Sequence, residues 1–162
     1  MTAKPVIILD MDETLLHTAE EDLYSDLDEF DSMPRPGLAE FINIVSSMGD
    51  VWVLSAGSPE YIPIALQNVG ILNRVKGWRS SQLVNRLDRD VIKGRPWVLV
   101  DDRPHTSPLT QRKLYQCGSG GRGDGHLIVV APFTGQRGDR VLHSLPALIQ
   151  AALTLQAARG EP

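Results

Sequence analysis

Two carboxylates one residue apart, Asp10 and Asp12, follow the apolar run Val6-Ile7-Ile8-Leu9. In extended chain, residues i and i+2 share a face, so both acids point the same way. Like charges held that close repel unless a cation or a shared proton relieves them. The pattern therefore asks for a metal site containing a nucleophile or a base. A second acidic pair, Asp101-Asp102, follows another apolar run, Pro96-Trp97-Val98-Leu99-Val100. Taken alone, each pair also reads as a helix cap or a turn after a strand.

Transfer of a phosphoryl group suits this set. It needs an in-line nucleophile, a divalent cation against the phosphate oxygens, and further positive or hydrogen-bonding groups. Asp10 can attack phosphorus. Asp12 can protonate the leaving oxygen and later deprotonate the attacking water. Asp101 and Asp102, with Asp10 as a third, offer hard oxygen ligands suited to Mg2+. Ser55 can donate a hydrogen bond to a non-bridging oxygen, although alone it is an ordinary strand-end serine. A lysine is still needed to offset charge, and Lys93 lies just ahead of the second acidic run. It also reads as a surface lysine.

Elements that would position these residues follow from apolar patterning. Val6–Leu9, Asp50–Ser55, a short run near Arg74–Trp78, Trp97–Val100 and His126–Ala131 read as strands. Leu38, Phe41, Ile42, Val45 and Met48 mark a helix opened by Pro34-Arg35-Pro36-Gly37 and closed by Gly49. Ser58-Pro59 opens a second helix that runs to Val69, with Pro63 as an irritant inside it. A last helix is expected over about 145–157. The order β-α-β-α-β-(α)-β-α implies a doubly wound α/β sheet with right-handed crossovers. The ends carrying Asp10, Ser55 and Asp101 then share one edge, where such folds place ligands.

The chain has 162 residues, 42% hydrophobic and 22% charged, which fits one globular domain over residues 1–162. Its net charge of −4 hides an asymmetry: residues 19–31 carry seven acids and no Lys or Arg. That stretch reads as part of a short acidic flap at about 17–34. Ten of the sixteen basic residues lie between Arg74 and Lys113. Such a segment suits phosphate-rich ligands, and is otherwise a solvated surface. One cysteine, Cys117, excludes an internal disulfide and fits a reducing compartment. No apolar run reads as long enough to span a bilayer, and the first strand starts too near Met1 for a signal peptide. A cytoplasmic protein with no membrane partner is expected; the oligomeric state is unreadable.

Asp10-Met11-Asp12-Glu13-Thr14 resembles the first motif of the haloacid dehalogenase (HAD) superfamily of phosphotransferases. Leu54-Ser55-Ala56-Gly57 resembles its second motif, Lys93 its third, and Val100-Asp101-Asp102-Arg103-Pro104 its fourth. The resemblance implies a Rossmann-like HAD fold with a minimal cap and an Mg2+-dependent phosphatase acting through an aspartyl-phosphate on Asp10. It also implies phosphate binding by Ser55, Ala56 and Lys93. The metal would take the Asp10 carboxylate, the Asp12 carbonyl and an acid of the fourth motif, with Asp102 as direct ligand and Asp101 behind it. Asp10–His17 followed by Arg35-Pro36-Gly37 is similar to the FCP/SCP branch, which acts on phosphoserines of the RNA polymerase II C-terminal domain. Where that branch carries a lysine motif, this chain reads Val84-Asn85-Arg86-Leu87, so the role falls to Lys93, with Lys76 in reserve. Val91-Ile92-Lys93 with Asp101–Pro104 is similar to 5′(3′)-deoxyribonucleotidases. The expected partner is a phosphoserine or phosphothreonine protein, or a phosphorylated nucleotide or polynucleotide end.

Two other classes fit parts of the pattern. A receiver-like signalling domain also pairs acids with Ser/Thr and Lys, but its phosphorylated Asp comes from a later strand. An idle HAD fold could serve as a binding module, against which the intact acids argue.

Overall fold

The computed structural model describes residues 3–19, 31–118 and 126–160. A five-stranded parallel sheet forms its centre, in the order β5-β4-β1-β6-β7. The strands are β1 (Val6–Leu9), β4 (Asp50–Ser55), β5 (Gly77–Ser80), β6 (Trp97–Asp101) and β7 (His126–Val129). Two short strands, β2 (Leu16–Thr18) and β3 (Ser32–Pro34), pair antiparallel beside it. Most of the expected acidic flap, residues 20–30, lies outside the described residues, as do residues 119–125.

β1 sits between β4 and β6, with Leu9 opposite both Val53 and Val100. All four of its residues are fully buried, because a parallel sheet is covered on both faces. Ile7 and Leu9 face one core with Val51, Val53, Val98 and Val100. Val6 and Ile8 face a second core with Leu54, Leu99 and Trp97. The first core is covered by α1 (Leu38–Met48), α2 (Tyr61–Asn68) and α4 (Val141–Gly160). The second is covered by a π-helical turn (Asp88–Ile92) and α3 (Pro108–Gln116). Helices therefore lie on both faces, as the doubly wound reading expects.

Local sequence accounts for most boundaries. Gly37 opens α1 at φ 84°, in the left-handed region that glycine enters at little cost. The turn ahead of α2 is closed by Ser58, whose Oγ accepts the Tyr61 N–H at 3.2 Å. Pro63 is tolerated because it stands in the first turn of α2, where no intrahelical N–H bond is required. The strand expected near Arg74–Trp78 forms two to three residues later, over Gly77–Ser80.

The last helix departs more from expectation. It starts at Val141 and includes Pro146 in its second turn. At that length, Val141–Arg159 reaches a mean hydropathy of 1.3, enough by length and composition to cross a bilayer. The sequence reading, starting the helix at Leu145, expected no such run. Leu142, Leu145, Ile149, Ala152 and Leu153 are buried against the first core, which gives much of that apolar content a packing role. Leu148 and Leu155 remain half exposed on the outer side.

Candidate active site

The carboxyl edge of the sheet gathers the chemistry. β1 ends at Leu9, and the Asp10 N–H continues the ladder to the Val100 carbonyl at 2.8 Å. This sets Asp10 beside Asp101 on neighbouring strands. The chain then turns, with the Leu15 N–H on the Met11 carbonyl at 2.9 Å and Glu13 at φ 65°. A cleft of about 440 Å³ opens over this edge. Asp10, Asp12, Ser55, Ala56, Gly57, Tyr61, Asp102, Arg103 and Lys113 are among its walls.

Five of the expected site residues line this cleft: Asp10, Asp12, Ser55, Ala56 and Asp102. Asp101 lies beneath it, 1% exposed. Lys93 does not join them. It is exposed, at φ 48° after the π-helical turn, and it precedes β6 at the opposite edge of the parallel sheet. Lys76, the reserve, precedes β5 and lines a separate cleft with Lys4, Asp50 and Arg74. The lysine that the geometry brings to the acids is instead Lys113, on α3. Its Nζ donates to Asp10 Oδ1 at 2.7 Å and to Asp101 Oδ2 at 2.9 Å.

Sequence reading missed Lys113 for a physical reason. The buried face of α3 carries Thr110, Lys113, Leu114 and Gln116, so the helix lacks an apolar stripe. A helix that turns a polar face inward has no hydrophobic periodicity to betray it. The one usable signal was Ser107-Pro108, an N-cap followed by a first-turn proline.

The acids are interlocked. Thr14 Oγ1 donates to Asp10 Oδ2 at 2.8 Å and lies 3.3 Å from Asp102 Oδ1. Asp101 uses both oxygens: Oδ2 accepts from Lys113 and Oδ1 from the Arg103 N–H at 3.0 Å. Asp12 Oδ1 accepts from the Tyr61 hydroxyl at 2.6 Å. Ser55 Oγ accepts the Gly57 N–H at 3.0 Å, which leaves its proton to give.

Burial raises the carboxyls of Asp10, Asp101 and Asp102 above the usual range. Neighbouring acids add to this: Asp10 acts on Asp101, and Asp101 on Asp102. Asp12 is pushed up to about 6 by burial, against the Tyr61 hydrogen bond and with Asp10 and Glu13 adding repulsion. Burial opposes the Lys113 charge, but Asp10 and Asp101 outweigh it and hold its ammonium above the ordinary range. Cys117 is buried and its thiol is pushed up to about 12, so it is inert.

Asp10, Asp101 and Asp102 each place a carboxylate oxygen within 4.8 Å of the others. Hard oxygen donors, raised carboxyls and one cation among several acids form a set that fits a small divalent cation.

Strand order, covered sheet faces and acids at the carboxyl edge describe a doubly wound α/β domain with the HAD fold. Among solved structures, a haloacid dehalogenase-like family hydrolase from Xanthomonas campestris is similar at TM-score 0.65 and 11% identity, over 98% of this chain and all of that one. The HAD domain of effector protein Lem4 from Legionella pneumophila is similar at TM-score 0.56 and 14% identity, over 96% of this chain and 98% of that one. Both likenesses concern the fold. No curated protein matches the sequence. Residues 5–159 match the profile of the NLI interacting factor-like phosphatases, and the chain belongs to that family. It is a HAD-type phosphatase, which favours an enzyme over the receiver-like and idle-module readings.

Proposed function

We propose that the protein hydrolyses phosphomonoesters through a covalent phosphate on Asp10. The observation that carries this reading is the pairing of Asp10 with buried Lys113, within a cleft that Asp12, Ser55 and Asp102 also line. A carboxylate oxygen of Asp10 attacks phosphorus, and the bond from phosphorus to the leaving oxygen breaks. Asp12 gives that oxygen its proton, for which a carboxyl titrating at about 6 is suited. The alcohol leaves. Asp12, now ionised, takes a proton from water as the water attacks phosphorus, and Asp10 is released with inorganic phosphate. Lys113 and the Ser55 hydroxyl meet the negative charge on the non-bridging oxygens.

A divalent cation such as Mg2+ fits the carboxylates of Asp10 and Asp102 and, when bound, supplies charge neutralisation at the phosphate. Asp101, 1% exposed beneath the cleft, is the less accessible ligand, and its part is to hold Lys113. Thr14 fixes Asp10 relative to Asp102.

Family membership favours a phosphoserine or phosphothreonine side chain of a protein as substrate. Phosphorylated polynucleotide ends are a second reading. They are favoured by Arg103, which is exposed on the wall of the cleft and whose guanidinium has no ion pair among the described residues. Cytoplasmic action fits either substrate.

The test is phosphate release from phosphopeptides, deoxynucleoside monophosphates and phosphorylated oligonucleotides, with Mg2+ and with chelator. The peptide should be cleaved fastest, and chelation should stop turnover reversibly. Asp10→Asn should abolish it, by about 10³-fold or more. Full activity in Asp10→Asn would overturn the mechanism.

A further inference from the structure

Four polar side chains run in a line from the cleft to the Thr18–Ser32 end of the β2–β3 pair. Asp12 Oδ1 lies 2.6 Å from the Tyr61 hydroxyl. That hydroxyl lies 2.8 Å from Thr18 Oγ1, and Thr18 Oγ1 lies 2.7 Å from Ser32 Oγ. Tyr61, Thr18 and Ser32 are all buried, and Thr18 and Ser32 face each other as the last residues paired between β2 and β3.

We infer that Tyr61 is a positioning residue that orients the Asp12 carboxyl toward the leaving oxygen. The inference rests on the reading of Asp12 as general acid. An ionised carboxylate only accepts hydrogen bonds, and a tyrosine hydroxyl has one proton to give. Tyr61 therefore spends its proton on Asp12 Oδ1. Thr18 then donates to the Tyr61 oxygen, and Ser32 to Thr18, so every proton in the chain runs toward Asp12. With Oδ1 occupied by a donor, the proton that Asp12 transfers sits on Oδ2. The ring of Tyr61 is packed in the first core, which fixes the hydroxyl in place. The carboxyl is thereby held in one rotation, with its acidic oxygen defined before the substrate arrives. A buried chain of this kind gains by mutual polarisation.

The three outer members come from two elements that the chemistry does not use, α2 and the β2–β3 pair. Ser55 is separated from Tyr61 only by the turn that Ser58 closes, so one segment supplies both a phosphate contact and the acid's support.

The test is Tyr61→Phe assayed with a series of aryl and alkyl phosphates, comparing kcat/KM against the pKa of the leaving alcohol. This ratio covers the steps up to alcohol release. Aryl leaving groups need little protonation, so kcat/KM for p-nitrophenyl phosphate should stay within about twofold of wild type. Alkyl phosphates and phosphoserine peptides need the proton, and their kcat/KM should fall about tenfold. Thr18→Val, which cuts the chain one link further out, should steepen the dependence in the same direction by less. An equal loss across all leaving groups, or no loss at all, would overturn the role of Tyr61. Absence of turnover in wild type with every ester would instead overturn the phosphatase mechanism itself.

Discussion

Lys113 reaches Asp10 across 103 residues of sequence and holds its Oδ1 at 2.7 Å. The same ammonium holds Asp101, so one cation on α3 joins the ends of two adjacent strands. Lys113 is 2% exposed, and a buried lysine survives charged only with such partners.

Lys113→Met should lower kcat by about 10²- to 10³-fold, the usual cost of removing a preorganised group from developing phosphate charge. Lys93→Met, at the far edge of the sheet, should leave kcat unchanged. Steady-state assays of the two variants on one substrate decide between the lysines. Loss in Lys93→Met with Lys113→Met unaffected would return the role to Lys93.

Removing Ser55 tests the phosphate contact. Ser55→Ala should reduce kcat/KM by about tenfold, as expected for one neutral hydrogen bond to a charged oxygen. Competition by inorganic phosphate should weaken in parallel. An unchanged inhibition constant would assign Ser55 to the Gly57 turn alone.

Cation binding and pH should be linked. The carboxyls of Asp10, Asp12, Asp101 and Asp102 are all raised in the fold. A raised carboxyl keeps its proton in the folded state after the unfolded chain has lost it. Stability of the cation-free protein should therefore decline as pH rises from about 4, and for Asp12 the decline should finish a little above 6. Added Mg2+ competes with those protons, so it should raise the melting temperature more at pH 7 than at pH 5. Calorimetry with and without chelator measures both. A larger shift at pH 5 would place the ion elsewhere.

A structural pair gives the complementary case. Arg35, fully buried, donates from Nε and Nη2 to both oxygens of Asp139 at 2.8 and 2.9 Å. The guanidinium holds the Asp139 carboxyl below its usual range, so its contribution is present above the unfolded value and lost as pH falls through the folded one. Arg35→Ala should destabilise the protein by about 3–5 kcal/mol, measured by urea unfolding at neutral pH. Arg35→Lys should recover only part, because an ammonium cannot reproduce the fork. A loss under about 1 kcal/mol would reduce the pair to the rank of a surface bridge.

The sheet was legible because β1, β4 and β6 are buried on both faces and read as continuous apolar runs. The acids were legible because strand ends converge in a parallel sheet. Lys113 was hidden by its own burial: a cation turned inward toward the acids erases the apolar face that would mark its helix. Tyr61 was hidden differently, since it continues the apolar pattern of α2 and only its hydroxyl reaches the cleft. The first turn of the last helix, ahead of Leu145, carries no capping signal in the sequence, and Pro146 is accommodated in its second turn.

Arg35 also donates to the carbonyls of Thr14 at 3.2 Å and Ala131 at 2.7 Å. The Phe133 N–H donates to the Glu13 carbonyl at 2.7 Å. The loop that carries Asp10 and Asp12 is thus braced by residues 131–139, which lie more than a hundred positions away in the chain. One guanidinium works as a clasp between distant segments, so the shape of the acidic loop depends on residues that do not line the cleft.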